Sequence, residues 1–257
     1  MNTEAVRRRL SAAAPIGLAE LDSAAALQHR LDTKYLIDLD QLDRIADRLA
    51  ATHRRLVIDD RTAFDYRTSY LDTPALTCFH DHRQGRRRRF KIRTRLYGGE
   101  LCRFEIKLKD GRGSTDKHAI TVAADEFGTV SERAAGFLTE VLAGCYGLTA
   151  PAALAPRLLV RQHRHTFAAL SGACRVTLDT DVTFAATTDG TAAGLRPGLV
   201  LVETKSARGR GLADDLLRRA GAHPLSVSKY CAGMALLHPS LPDQPWRRLL
   251  HRYFTCA

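Results

Sequence analysis

Apolar and polar side chains alternate along residues 86–109, "RRRRFKIRTRLYGGELCRFEIKLK". Phe90, Ile92 and Leu96, then Cys102, Phe104, Ile106 and Leu108, fall on one face; Lys91, Arg93 and Arg95, then Arg103, Glu105, Lys107 and Lys109, fall on the other. A period of two sustained over this length predicts two half-buried strands, joined by a turn at Gly98-Gly99. Similar patterns predict strands in "LQHRLDTKYLID" (27–38), "AFDYRTSYLDT" (63–73), "KHAITVAAD" (117–125), "PRLLVRQHRHTFAAL" (156–170), "CRVTLDTDVTF" (174–184) and "GLVLVETKS" (198–206). Asp72-Thr73-Pro74 signals a turn. Elsewhere the period is helical. Leu42, Ile45 and Leu49 share one face of a helix capped near Asp40. "SERAAGFLTEVLAGCYG" (131–147) reads as a helix with Phe137, Leu138, Val141 and Leu142 inward and Gly147 just past its end. Two short helices are predicted near 211–220 and 228–238. Residues 1–26 form a helical extension, 27–238 one α+β domain without an internal linker, and 239–257 a Pro-rich tail. Trp246, near Pro242 and Pro245, is expected to pack on the surface.

The polar faces carry a pattern of their own. Acid-x-Lys occurs at Asp32-x-Lys34, Glu105-x-Lys107 and Glu203-x-Lys205, and Arg30 and Arg103 extend the first two to Arg-x-acid-x-Lys. At period two each set shares one sheet face. On a single strand this would mean ion pairing on a solvated face, which stabilises little. Here the opposite faces (Leu31, Tyr35, Ile37; Phe104, Ile106; Val200, Val202) read as core. Several strands that turn charge one way and apolar residues the other suit a closed barrel, helix-covered outside and charged within. Excess lysine and arginine in such a lumen calls for a polyanion.

Composition agrees. The 257 residues hold 39 Lys and Arg against 28 Asp and Glu, a net charge of +11. That favours an anionic partner: nucleic acid, acidic membrane, or a phosphorylated molecule or polymer. No apolar run approaches the roughly 18 residues of a membrane span. "MNTEAVRRRLSAAAPIGL" lacks the continuous apolar stretch of a signal peptide. Cys78, Cys102, Cys145, Cys174, Cys231 and Cys256 form no CxxC pair, which suits reduced thiols in the cytoplasm. His80, His82, His163 and His165 occur in pairs, read as surface or phosphate-contacting groups rather than metal ligands. No G-x-x-x-x-G-K-[ST] loop is present, so a P-loop kinase is not indicated.

Seven segments in order carry a resemblance: "RLDTKYLI", "SYLDTPAL", "FHDHRQGRRRRFKIRTRLYG", "FEIKLK", "RVTLD", "LVETK" and "SKYCAGM". Over residues 27–237 the chain resembles the VTC domain family of polyphosphate polymerases, within the triphosphate tunnel metalloenzyme (CYTH-like) superfamily. The resemblance implies an α+β fold built on an antiparallel eight-stranded β-barrel tunnel with surrounding helices. It implies a metal-dependent enzyme that transfers the γ-phosphate of ATP to inorganic polyphosphate. Lys34, Arg93, Arg95, Lys107 and Lys229 match catalytic phosphate-gripping positions. Arg30, Lys91, Lys109, Lys117, Arg164, Arg175, Lys205 and Ser228 match substrate-binding ones. Arg112 and Lys109 compete with Lys117, and Arg161 with Arg164. Glu203 matches the metal-binding glutamate, with Glu105 the next candidate, and the implied metal is Mn²⁺ or Mg²⁺.

The sequence departs from the family in Asp32, where the first strand usually carries Glu. It also lacks the transmembrane segment and SPX domain of eukaryotic relatives, so it is similar to the stand-alone bacterial form, and coupling to a membrane would need a separate partner. Two other readings stand beside the polymerase: a triphosphate hydrolase on the same tunnel, and a non-catalytic polyanion-binding module. The hydrolase branch has a fuller E-x-E-x-K where this chain has Arg30-x-Asp32-x-Lys34. Specific nucleic-acid binding is not expected, because Tyr97 alone offers an aromatic platform close to the basic strands.

Overall fold

Asp38 stops the first long strand and starts the first long helix. Its carboxylate accepts from Gln41 N at 2.7 Å while the Gln41 side chain accepts from Asp38 N at 3.2 Å, a reciprocal capping box. The helix therefore begins two residues before the predicted cap at Asp40. In chain order, a computed structural model that describes residues 2–24, 31–109, 115–207 and 210–256 shows α1 (Asn2–Arg9), β1 (Pro15–Ile16), α2 (Leu18–Ala24), β2 (Leu31–Asp38), α3 (Leu39–Thr52), β3 (His53–Leu56), β4 (Phe64–Asp72) and α4 (Thr77–Arg83). There follow β5 (Arg89–Tyr97), β6 (Leu101–Lys109), β7 (Thr115–Val122), α5 (Glu132–Tyr146), β8 (Ala155–Ala169), β9 (Arg175–Ala186) and β10 (Ala192–Leu195). The chain ends with β11 (Leu199–Ser206), α6 (Leu212–Arg219), α7 (Lys229–Leu237), α8 (Arg247–Tyr253) and β12 (Phe254–Cys256).

The fold is α+β with a large, mostly antiparallel sheet, as expected; β1 and β3 run parallel. Strand number and closure differ from the expected eight-stranded ring. Twelve strands are hydrogen-bonded among the described residues, and the ladder is open: β7 pairs with the single strand β6 and β2 with the single strand β11, Lys34 of β2 also accepting from Leu225 N at 2.8 Å. Four of the twelve (β1, β3, β10 and β12) are two to four residues long, too short to show a period in sequence.

The chain separates into two compact units. The first comprises Met1–Phe64, Gln162–Val182 and Leu195–Val227. In it β11 lies between β2 and β9, with Glu203 opposite Lys34 and Thr177, and Lys205 opposite Asp32 and Arg175. Tyr35, Ile37, Val176, Leu178, Val200 and Val202 turn the other way and bury against α1, α3 and α6. Tyr35 also donates to Asp214 at 2.8 Å; burial first, and that carboxylate second, push its phenol up to about 12. The apolar strand faces expected from the sequence thus become core, at roughly 25 cal/mol per Å² of apolar surface removed from water.

The second unit comprises Asp65–Arg161, Thr183–Gly194 and Ser228–Ala257. Its centre is the antiparallel run β4-β5-β6-β7. Asp72, predicted as a turn residue, is fully buried and ties three elements together. It accepts from Thr73 N at 2.8 Å, from Cys78 N and Phe79 N in α4 at 2.9 and 3.0 Å, and from the Tyr230 hydroxyl of α7 at 2.6 Å. Helix α5 is capped by Ser131 at its start and by Gly147 at its end, whose φ of 63° is left-handed. Glycine is needed for space at Gly233, where a Cβ would lie 2.6 Å from Leu158 Cδ2. The tail contains helix α8, and its Trp246 is buried, the ring stacked 6.3 Å from that of His82.

Candidate functional site

Each unit gathers cations around a shielded carboxylate on the polar face of its strands. In the first unit the carboxylate is Glu203 on β11. Its Oε2 lies 2.9 Å from Lys205 Nζ and its Oε1 3.6 Å from Lys34 Nζ, as the register of β2 and β11 requires. The Lys205 contact is an ion pair by distance but not by angle, so the buried ammonium lacks an aligned acceptor. Burial lowers the Lys205 pKa to about 8; Glu203 and Asp32 oppose that fall, while Arg164 adds to it. These influences place Asp32 and Arg164 in the same cluster. Arg164 forms a two-pronged pair with the buried carboxylate of Asp179, at 2.6 and 2.7 Å. Of the two competing arginines, Arg161 is exposed and Arg164 is half-buried. Arg175, expected beside them, sends its guanidinium to Leu21 O and Asp22 Oδ1, both at 3.3 Å.

In the second unit the carboxylate is Glu105 on β6, buried to 1% side-chain exposure. Arg93 Nε donates to its Oε2 at 2.6 Å, and Lys117 Nζ and the Tyr97 hydroxyl donate to its Oε1 at 3.0 and 3.2 Å. Desolvation would raise the Glu105 pKa, but Arg93, Arg95 and Lys117 together hold it well below the usual carboxylate range. Burial depresses Lys117 despite the pull of Glu105, with Arg93 and Arg95 adding repulsion. For Arg93, burial works against the charge, and Glu105 more than reverses it. Arg95 donates to Thr68 Oγ1 at 3.1 Å and lies 5.5 and 6.0 Å from the ring centres of Tyr66 and Tyr97.

Beside this cluster the register sets like charges opposite one another. Lys91 faces Lys107, and Lys107 faces Lys117, across β5, β6 and β7; Arg89 faces Lys109, and Arg95 faces Arg103. Lys91 Nζ lies 3.4 Å from His82 Nε2, and Lys109 donates to Thr115 Oγ1 at 3.1 Å. Ser228 is the N-cap of α7, accepting from Cys231 N at 3.4 Å, and Lys229 opens that helix. Arg30 and Arg112 lie outside the described residues. Asp179, Thr68, Tyr66 and Tyr70 were not singled out from sequence; only their position on the strand faces could have indicated them.

The two glutamates differ as possible metal ligands. Glu105 already accepts from three donors through both oxygens. Glu203 is held by ion pairs with two lysines, one longer than hydrogen-bond reach, and it offers the oxygen chemistry that hard divalent cations take. The residues fit a divalent ion at Glu203 better than at Glu105.

A family model described as the VTC domain matches residues 29–238. Among solved structures, a candidate adenylyl cyclase from Hippeastrum, described as revealing a dominant triphosphatase activity, is 13% identical with a TM-score of 0.48, covering 84% of this chain and 99% of its own. A candidate adenylate cyclase from Vibrio parahaemolyticus is 12% identical with a TM-score of 0.45, covering 79% and 96%. One from Bacillus halodurans, also 12% identical with a TM-score of 0.45, covers 78% and 94%. Comparison with curated protein sequences gives no match.

Proposed function

The chain belongs to the VTC domain family, and from that premise we propose that it is a divalent-metal-dependent polyphosphate polymerase, moving the γ-phosphate of ATP onto inorganic polyphosphate. One observation supports this most: the facing row Lys91, Lys107 and Lys117 on three neighbouring strands. Like charges opposed across strands repel. A chain of phosphates laid along them offsets that repulsion at every step.

In this reading Arg93, Arg95 and Arg164 are the guanidinium grips, able to hold phosphate oxygens in pairs, and Lys34, Lys107, Lys205 and Lys229 act as point charges. Lys91, Lys109 and Lys117 bind the polymer. Ser228 positions α7 and so the start of Lys229. Glu203, with phosphate and water oxygens, would hold Mn²⁺ or Mg²⁺, which supplies charge neutralisation at the transferring phosphoryl group. Glu105 is the counter-ion that keeps Arg93 and Lys117 charged and aimed. A terminal oxygen of the acceptor chain attacks the γ-phosphorus, the β–γ bridging P–O bond breaks, and ADP leaves with the electron pair on its β-phosphate. No side-chain nucleophile is needed. The cytoplasm supplies ATP and keeps the six free thiols reduced. Among the described residues no helix is long and apolar enough to cross a membrane, and a membrane partner would be a separate protein.

The test is incubation of the purified protein with ATP and Mn²⁺, with products resolved as polyphosphate ladders or free phosphate. Ladders are expected from the wild type. Glu203→Gln keeps volume but loses the hard ligand, so ladders should fall at least a hundredfold while metal-free ATP binding holds or tightens. Free phosphate alone would make the enzyme a hydrolase, and full synthesis by Glu203→Gln would remove that residue from the metal.

A further inference from the structure

Away from the basic faces, three side chains of different chemistry converge between β7 and α5. His118 Nε2 lies 2.7 Å from Asp116 Oδ2 and 3.8 Å from Cys145 Sγ, and all three ligand atoms fall within 4.8 Å of one another. Among the described residues no other group of three such atoms comes this close. Period two puts Asp116 and His118 on the same face of β7, opposite Lys117. Cys145 sits in the last turn of α5. That turn is fixed to the sheet by Tyr146, whose hydroxyl donates to Lys109 O at 2.8 Å and to Arg89 O at 3.2 Å.

We propose that Asp116, His118 and Cys145 form a binding site for a thiophilic divalent cation of the Zn²⁺ class, distinct from the Glu203 position. A tetrahedral zinc with bonds of about 2.0–2.3 Å separates its ligand atoms by about 3.4–3.6 Å. The two separations from His118, 2.7 and 3.8 Å, bracket that spacing, and the third lies within 4.8 Å. Thiolate and imidazole select zinc over magnesium or calcium, which prefer all-oxygen sets. Asp116 and Cys145 are exposed, so the ion enters from solvent and the fourth position takes water. Bound there, it ties the end of α5 to β7 and fixes the strand whose other face presents Lys117 to Glu105.

The experiment uses the full chain, reduced and stripped by a chelator, titrated with Co²⁺ as a spectroscopic probe and with Zn²⁺ against a chromophoric competitor. The expected result is one equivalent of Co²⁺ giving thiolate charge-transfer absorption, lost in Cys145→Ser. Zn²⁺ affinity should fall at least tenfold in His118→Gln and in Asp116→Asn, and millimolar Mg²⁺ should not displace it. A wild type without that absorption, or absorption that survives Cys145→Ser, would overturn the site. A second measurement needs no variant: Zn²⁺ should slow iodoacetamide alkylation of Cys145 at least tenfold relative to Cys256, read by mass spectrometry. Equal rates with and without Zn²⁺ would also overturn it.

Discussion

Arg93 shows how a side chain can serve a site and a fold together. Its guanidinium faces a carboxylate that has almost no access to water. Replacing it with methionine strands a buried anion, and losing one member of a buried pair costs about 3–5 kcal/mol, moderated here by Lys117. Arg93→Met should therefore lower unfolding free energy by about 3 kcal/mol, and Glu105→Gln in that background should recover part of it. Urea titrations of wild type, Arg93→Met, Glu105→Gln and the double variant test this; an unchanged midpoint for Arg93→Met would refute it. His165 makes a case about pH. It is fully buried, and neither ring nitrogen reaches a partner at hydrogen-bond geometry. Burial lowers its pKa from 6.5 to about 4; nearby backbone at Thr62 and Thr3 works weakly against this, and Arg55 and His163 add to it. The unfolded chain takes up this proton below pH 6.5 while the fold refuses it, so stability is full above pH 6.5 and declines toward pH 4. The decline amounts to about 3 kcal/mol from this group. Comparing urea unfolding at pH 7.5 and 4.5 with His165→Leu checks it: an equal acid loss in the variant would clear the histidine.

At the scale of elements, Asp72 carries more than its turn. Four donors meet its carboxylate, two of them from the first turn of α4, which has no side-chain cap of its own. Asp72→Ala leaves a buried hydroxyl and buried N–H groups unmet at about 1–3 kcal/mol each, so a loss near 4 kcal/mol is expected. Asp72→Asn should lose about half as much. A loss below about 1 kcal/mol for alanine would show that water replaces the carboxylate. The same helix explains what the sequence could not reveal. Long strands announced themselves because β2, β5, β6 and β11 alternate over eight or nine residues, and α3 and α5 because their apolar faces repeat. Helix α4 has seven residues, and its capping carboxylate arrives from the preceding strand, so no local signal marks it. The site was legible as far as strand faces go: Lys34, Glu203 and Lys205 fell where the period put them. Arg175 lies opposite Lys205 as its face requires, but its long side chain bends toward Leu21 and Asp22 of α2, which strand period cannot foretell. Asp179 was missed because a lone acid on an apolar strand looks ordinary until its arginine is placed.

For the molecule as a whole, a charge of +11 would attract any polyanion, but the cations best placed for binding are recessed. Arg93, Arg164 and Lys205 have side chains 16%, 11% and 12% exposed. A duplex is too broad and stiff to follow them in, whereas a thin flexible polyphosphate is not. Polyphosphate should displace a fluorescent triphosphate at least tenfold better than duplex DNA of equal charge at about 0.15 M salt, where the Debye length is about 8 Å. DNA binding should weaken steeply with added salt. Parity between the two competitors would mean that only surface charge is being measured. The row of facing lysines has one more consequence, for motion. Lys91, Lys107 and Lys117 carry the same charge at facing positions of three neighbouring strands, while Lys117 alone of the three also donates to Glu105. In the proposed polymerase, a polymer displaced along the row exchanges one ammonium for another of the same charge, so no single register is a deep trap. Grip and mobility then coexist in the proposed polymerase: a polyphosphate is held as a whole, yet it can step forward without letting go.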